Sequence, residues 1–87
     1  MSEFSKSFSH PARILVIRSL LRHGPQTVEQ LLKQHPISKP SLSQHLAILR
    51  NARLLEWKEK FPYTIYSIKK EALAGVKKEM KAFFQSL

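Results

Sequence analysis

The sequence predicts a mainly α fold with one small β-hairpin, and three observations carry that expectation. Apolar residues recur at helical spacing over most of the chain. The period falls to two between Leu55 and Ile68, and it returns to helical spacing after Glu71. Strong breakers, Gly24-Pro25, Pro36 and Phe61-Pro62, fall between the periodic segments and not within them. With 87 residues the chain is read as a single domain over residues 1–87, close to the size where one core is only marginally stable.

The elements follow in order. Phe4 and Phe8 lie four apart, enough for a short helix at about 4–8 before a break at Ser9 and His10. Pro11 suits the first turn of the next helix, where a missing N–H costs nothing. That helix runs to about His23, with Ile14, Ile17, Leu20 and Leu21 as its stripe and Leu15 and Val16 widening it towards burial on two sides. Gly24-Pro25 ends it. Thr27 and Gln30 have the spacing of a capping box, and Val28, Leu31 and Leu32 form the apolar face of a short helix that stops before Pro36. Ile37 plugs the gap that follows, Ser38 is a natural N-cap, and Lys39-Pro40 open the next helix.

That next helix is the most informative part of the chain. Leu42, Leu46 and Leu49 recur at i, i+4 and i+7 and line one side. Ser41, Gln44, Ala47 and Asn51 occupy the other side, where an ordinary solvated helix would carry Lys and Glu. Small, neutral, hydrogen-bonding groups suit a major groove, which penalises bulk and negative charge. After Leu54, Leu55 and Trp57 alternate with Glu56, Lys58 and Lys60, and a second strand runs through Tyr66 and Ile68. Phe61-Pro62-Tyr63 connects the two strands. Leu73, Val76, Met80, Phe83 and Phe84 then mark a final helix within about 70–86. The order reads as a winged helix-turn-helix with an extra helix at each end. The helix-turn-helix spans about 27–52 and the wing about 54–68.

Charge agrees with nucleic acid. Fifteen Lys and Arg against six Asp and Glu give a net +9, carried by a patterned globular sequence and not by a basic tail. The absence of cysteine excludes disulfides, thiolate metal sites and thiol sensing. No apolar run can span a bilayer, so no membrane partner is expected. The opening MSEFSKSFSHPAR has no signal-peptide core, which points to the cytoplasm. No catalytic triad, phosphate-binding glycine loop or carboxylate cluster is present, and with two glycines in all there is no cradle for a substrate. An enzyme is not expected.

The pattern also resembles the ArsR family of bacterial winged-helix regulators over roughly His10 to Ile68. His10-Pro11-Ala12-Arg13-Ile14 is similar to that family's second helix. Ser38 to Leu49, SKPSLSQHLAIL, is similar to its recognition helix, and Arg50-Asn51-Ala52-Arg53-Leu54 to its exit into the wing. The resemblance implies a bacterial homodimer on an imperfect inverted repeat of double-stranded DNA, usually as a repressor. Three departures stand out. The Cys-x-Cys pair and the histidine ligands of the family's metal sensors are missing, so no metal and no cofactor are expected and any effector is unknown. Pro36 stands where relatives usually have glycine. The wing tip carries Phe61-Pro62-Tyr63 in place of Gly-Arg.

The residues expected to read bases are Lys39, Pro40, Ser41, Ser43 and Gln44. Lys39 can donate to guanine O6 or N7 or to a phosphate, Gln44 can bond adenine N6 and N7, and the serines serve either role. Thr27, His45, Arg50, Arg53, Lys58 and Lys60 are expected at the DNA backbone. Taken singly, Arg50, Arg53, Lys58 and Lys60 each read equally as a solvated surface charge, and His45, beside the leucine stripe, reads as a partly buried residue packing near the wing and touching a phosphate sooner than as a ligand. Phe4, Phe8, Leu73, Val76, Met80, Phe83 and Phe84 are expected at a dimer interface, since they are too apolar for the exposed ends of a small monomer. The rival reading is a winged helix that docks an acidic protein partner without sequence-specific DNA binding, and RNA binding is a weaker alternative.

Overall fold

The computed structural model describes residues 10–85, the side chain of Phe83 excepted. The expected helix at 4–8, with Phe4 and Phe8, lies outside the described residues. Helix α1, Pro11–His23, is capped by His10, whose Nδ1 accepts from the Ala12 N–H at 3.2 Å, and Pro11 sits in its first turn. It buries Ile14, Val16, Ile17, Ser19 and Leu20, while Leu15 stays 45% exposed, so the stripe is narrower than its apolar composition implied. Gly24 ends the helix at φ 75°, and its N–H donates to the Leu20 carbonyl at 2.9 Å. Glycine adopts this left-handed conformation without a Cβ penalty.

A two-residue strand, β1, Gln26–Thr27, separates α1 from helix α2, Val28–Gln34. Helix α2 begins with the reciprocal capping box its sequence announces. The Gln30 N–H donates to Thr27 Oγ1 at 3.1 Å and the Thr27 N–H donates to Gln30 Oε1 at 2.9 Å. His35 then leaves in an extended conformation, φ −130° and ψ 132°, as the residue before a proline must. No residue between α2 and the next helix has positive φ, so this turn is built without the left-handed residue that glycine would supply. Helix α3, Lys39–Asn51, is capped by Ser38 Oγ, which accepts from the Ser41 N–H at 3.2 Å.

The wing is strands β2, Leu55–Lys60, and β3, Tyr63–Ile68, paired antiparallel from Leu55↔Ile68 to Lys60↔Tyr63, with a cis Phe61–Pro62 peptide at the turn. Strand β1 extends this hairpin beyond the two strands that the sequence pattern predicts. Gln26 and Thr27 pair with Tyr66 and Ile65, giving the order β1-β3-β2. A 3₁₀ turn, Lys70–Ala72, leads into α4, Leu73–Gln85. Leu31 from α2, Leu42, Leu46 and Leu49 from α3, Leu54 and Leu55 at the wing root, and Val76 from α4 meet α1 in one core. Ile37 packs against its edge, as a plug between the two helices should.

A polar cluster, buried at Ser19 and Gln26 and exposed at Gln34, joins α1, β1 and α2. Ser19 Oγ donates to Gln34 Oε1, Gln34 Nε2 donates to Gln26 Oε1, and Gln26 Nε2 donates to the Ser19 carbonyl at 3.1 Å. Because each side-chain amide is matched, burying these groups does not leave an unsatisfied donor or acceptor among them.

Candidate nucleic-acid interface

Helix α3 has two chemically separate sides. Leu42, His45, Leu46 and Leu49 face the core, and Lys39, Pro40, Ser43, Gln44, Ala47 and Asn51 are exposed, with Ser41 half-buried. All five residues expected to read bases therefore lie in the first half of one helix, away from the core. No carboxylate lies anywhere on α3. Such a face offers donors and acceptors to base edges without repelling phosphates.

His45 is placed differently from its expectation. It is only 8% exposed, its ring lies 4.6 Å from that of His10, and its Nδ1 accepts from Arg13 Nε at 3.3 Å. Burial, followed by the neighbouring His10 and Arg13, holds its pKa below the usual histidine value. With its Nδ1 engaged by Arg13 and the residue almost wholly buried, His45 packs inside the domain and not on the exposed face with the other residues expected at phosphates, which corrects that expectation. The signal is present in the sequence: residue 45 is three after Leu42 and four before Leu49, on the buried side of the same helix.

The exit from α3 carries two arginines with distinct roles. The Arg50 guanidinium lies 3.6 Å from the centroid of the Trp57 ring, tying the end of α3 to strand β2 through a cation–π stack. Arg53 is exposed and has φ 61°. Its N–H donates to the Arg50 carbonyl at 2.9 Å and that of Leu54 to the Leu49 carbonyl at 3.0 Å. This is the Schellman arrangement, with arginine in the left-handed position that glycine usually fills. The bend aims the chain into the wing.

In the wing, partners across an antiparallel pair share a face, so Lys58, Lys60, Tyr63 and Ile65 lie on one side and Trp57, Glu59, Thr64 and Tyr66 on the other. Lys58 and Lys60 are exposed, on the side opposite Trp57. Thr27 is half-buried, and its hydroxyl oxygen already serves as the α2 cap, leaving the hydroxyl proton for a phosphate. Of the residues expected at a dimer interface, Val76 is 0% and Met80 6% exposed within the single chain. They pack into their own domain core and have no surface to give a partner, which corrects that expectation for both. Leu73 is half-buried and Phe84 is 43% exposed, with Arg18 stacked 5.5 Å from the Phe84 ring centroid.

Other ligand chemistry is sparse. Among the described residues no three His, Cys, Asp or Glu side chains are grouped to hold a metal ion, and no helix is long and apolar enough to cross a membrane. Open clefts of about 540 and 380 Å³ flank the wing root, the first lined by Arg53, Leu54, Lys69, Glu71, Ala72 and Gly75.

A capped two-helix unit, a polar outward face on its second helix and a basic hairpin at its exit define a winged helix-turn-helix DNA-binding protein. The chain belongs to the ArsR family: the family described as bacterial regulatory protein, arsR family, matches residues 10–56. It is 34% identical to the transcriptional repressor SdpR of Bacillus subtilis over 68 residues, 78% of this chain and 74% of SdpR. It is 33% identical to the HTH-type transcriptional regulator Rv2034 of Mycobacterium tuberculosis over 74% of this chain, a match that spans 60% of Rv2034. The structure is similar to that of the transcriptional repressor BigR from Xylella fastidiosa, with a TM-score of 0.83 and 26% identity over 98% of this chain and 83% of BigR.

Proposed function

We propose that this chain is a homodimeric repressor that occupies an imperfect inverted repeat in promoter DNA and denies polymerase access to it. The observation that carries this reading is the outward face of α3, where Lys39, Pro40, Ser41, Ser43 and Gln44 lie together with no acidic or large apolar side chain among them. These five read base edges, and Thr27, Arg50, Arg53, Lys58 and Lys60 hold the phosphates. A helix that docks a protein would instead present large apolar anchors at that face. Leu73 and Phe84, with Leu15 beside Arg18 on α1, leave apolar surface suited to a second copy. Two copies set their α3 helices roughly 34–36 Å apart, one turn of DNA. The cytoplasm is the compartment in which such a protein meets its promoter.

Selection of bound duplexes from a random pool, followed by affinity measurements across a salt series, tests the reading. The expected outcome is a two-fold-related motif and a steep negative log–log salt slope, about 0.9 per phosphate neutralised. Lys58→Ala with Lys60→Ala should lower affinity for all duplexes alike and reduce the slope by about one unit for each phosphate that no longer meets a lysine. A slope near zero, with no enriched motif, overturns the proposal.

A further inference from the structure

We infer that the wing tip is an apolar wedge for the minor groove, in which Phe61 enters a base-pair step beside the segment read by α3. The inference rests on the DNA-binding reading above and concerns an interaction that the lysines cannot make. Phe61 is 100% exposed, beside exposed Pro62 and a Tyr63 that is 51% exposed, at the far end of a hairpin whose strand β2 is buried only at Leu55. Single exposed apolar residues are ordinary on protein surfaces. A phenylalanine with its whole side chain in water, at the outermost point of a two-stranded ribbon, is a different case, because the tip has no neighbours to cover it.

Reach and charge select the occupant. Five residue rises separate Leu55 from Lys60, so the tip stands roughly 17 Å along the ribbon from the wing root. From a major groove filled by α3, the next minor groove is centred half a DNA turn away, roughly 17–18 Å. Lys58 and Lys60 lie on one side of the ribbon, where they can meet phosphates along a groove rim, while Glu59 pairs with Thr64 on the other side. The Arg50–Trp57 stack fixes the angle between helix and ribbon, so seating α3 also aims the tip. Minor-groove proteins use phenylalanine and proline in this way, partially unstacking a step and bending the duplex. Burying a whole phenylalanine is of the same order as the cost of opening one step. The wedge therefore favours flexible pyrimidine–purine steps, such as TA and CA, at a position that no polar side chain reads.

The full-length chain and a duplex selected from a random pool provide the test, with 2-aminopurine placed at successive steps beside the bases that α3 reads. The expected result is a fluorescence rise at one step per half-site and a bend seen by end-to-end energy transfer. Both should be lost in Phe61→Ala and retained in Phe61→Leu, which keeps an apolar wedge. Phe61→Ala should change affinity by less than about tenfold, because the burial it forfeits and the unstacking it avoids are of similar size, with an unchanged salt slope and thermal midpoint. A silent probe at every step with the wild-type chain, or a rise that survives Phe61→Ala, overturns the wedge while leaving the DNA-binding reading intact. Failure to enrich any duplex overturns both.

Discussion

Helix α3 and the wing are neighbours in sequence but are held in place by different forces. Half of α3 is core: Leu42, Leu46 and Leu49 are essentially inaccessible, and the outward side chains inherit their positions from that packing. In β2 only Leu55 is buried, and the rest of the strand depends on its ladder with β3 and on one arginine stacked over Trp57. The helix proposed to read bases is therefore fixed by close packing along its length, whereas the hairpin is held at its root, where β3 pairs with β1 and buries Tyr66 and where Arg50 stacks on Trp57, and its outer end is exposed. A side chain that must meet one base edge needs the first kind of support. Bonds to a charged, repeating phosphate chain tolerate the second.

The sharpest way to break this contrast is Leu46→Ala. Truncating a side chain that is 1% exposed should destabilise the domain by about 2–5 kcal/mol, read as a shift in the denaturant midpoint, with DNA binding lost along with the fold. Lys58→Ala with Lys60→Ala should move stability by no more than about 0.5 kcal/mol. Comparable losses from the two changes would refute the division.

Next in size is Gln44→Ala, which should cost about 1–3 kcal/mol on the best duplex and relax preference at one base position. Its thermal midpoint should be unchanged, since Gln44 is exposed. A selected motif identical to that of the wild-type chain would remove Gln44 from the reading set.

Arg53→Gly probes the junction between the two regions. Relief of a left-handed arginine should stabilise the domain by about 1 kcal/mol, visible as a higher denaturant midpoint at constant m-value. Affinity for every duplex should fall, because a cation is removed where the chain turns into the wing. A variant that is both more stable and equally tight in binding would show that Arg53 has no part at the phosphates.

The gentlest effect concerns acid. Burial first, then the neighbouring His10 and Arg13, lowers the His45 pKa from 6.5 in the fold, and burial lowers that of His35 in the same direction. The unfolded chain takes up these protons first, so stability present above about pH 6.5 declines as pH falls towards the depressed folded values. Chemical denaturation should give a lower midpoint at pH 5.5 than at 7.5, with a smaller difference in His45→Gln. An equal difference in that variant would assign the pH dependence elsewhere.

The parts of the fold that are legible in the sequence are those governed by local rules. The Thr27–Gln30 capping box, the Ser38 cap, the proline-terminated α2 and the leucine side of α3 each need only a few consecutive residues to declare themselves. Strand β1 is not legible, because two residues, Gln26 and Thr27, have no periodicity, and their pairing with β3 is fixed across about forty positions of chain. The Leu73, Val76, Met80 and Phe84 side of α4 is recognisably apolar, but spacing does not say which surface it covers. Val76 and Met80 turn to their own core, and Phe84 keeps its exposure. At the proposed interface, residue types nominate a base-reading set on α3, and the structure places its members on one side of that helix. They do not reveal that Arg50 spends its planar face on Trp57, since that stack depends on the turn at Arg53 that brings β2 back against the end of α3.

The Ser19–Gln26–Gln34 cluster carries one more implication. Its three side chains come from α1, β1 and α2, and each is satisfied by the others. Moving α2 against α1 would take Gln34 away from Ser19 and Gln26 and leave the buried Gln26 amide short of a partner, whereas Gln34 is exposed and can turn to water. Replacement of any single member should cost more than the sum of compensated changes would suggest, and the trio should tolerate exchange only as a set. The entry to the helix-turn-helix is thus tied by one hydrogen-bonded set that spans three elements.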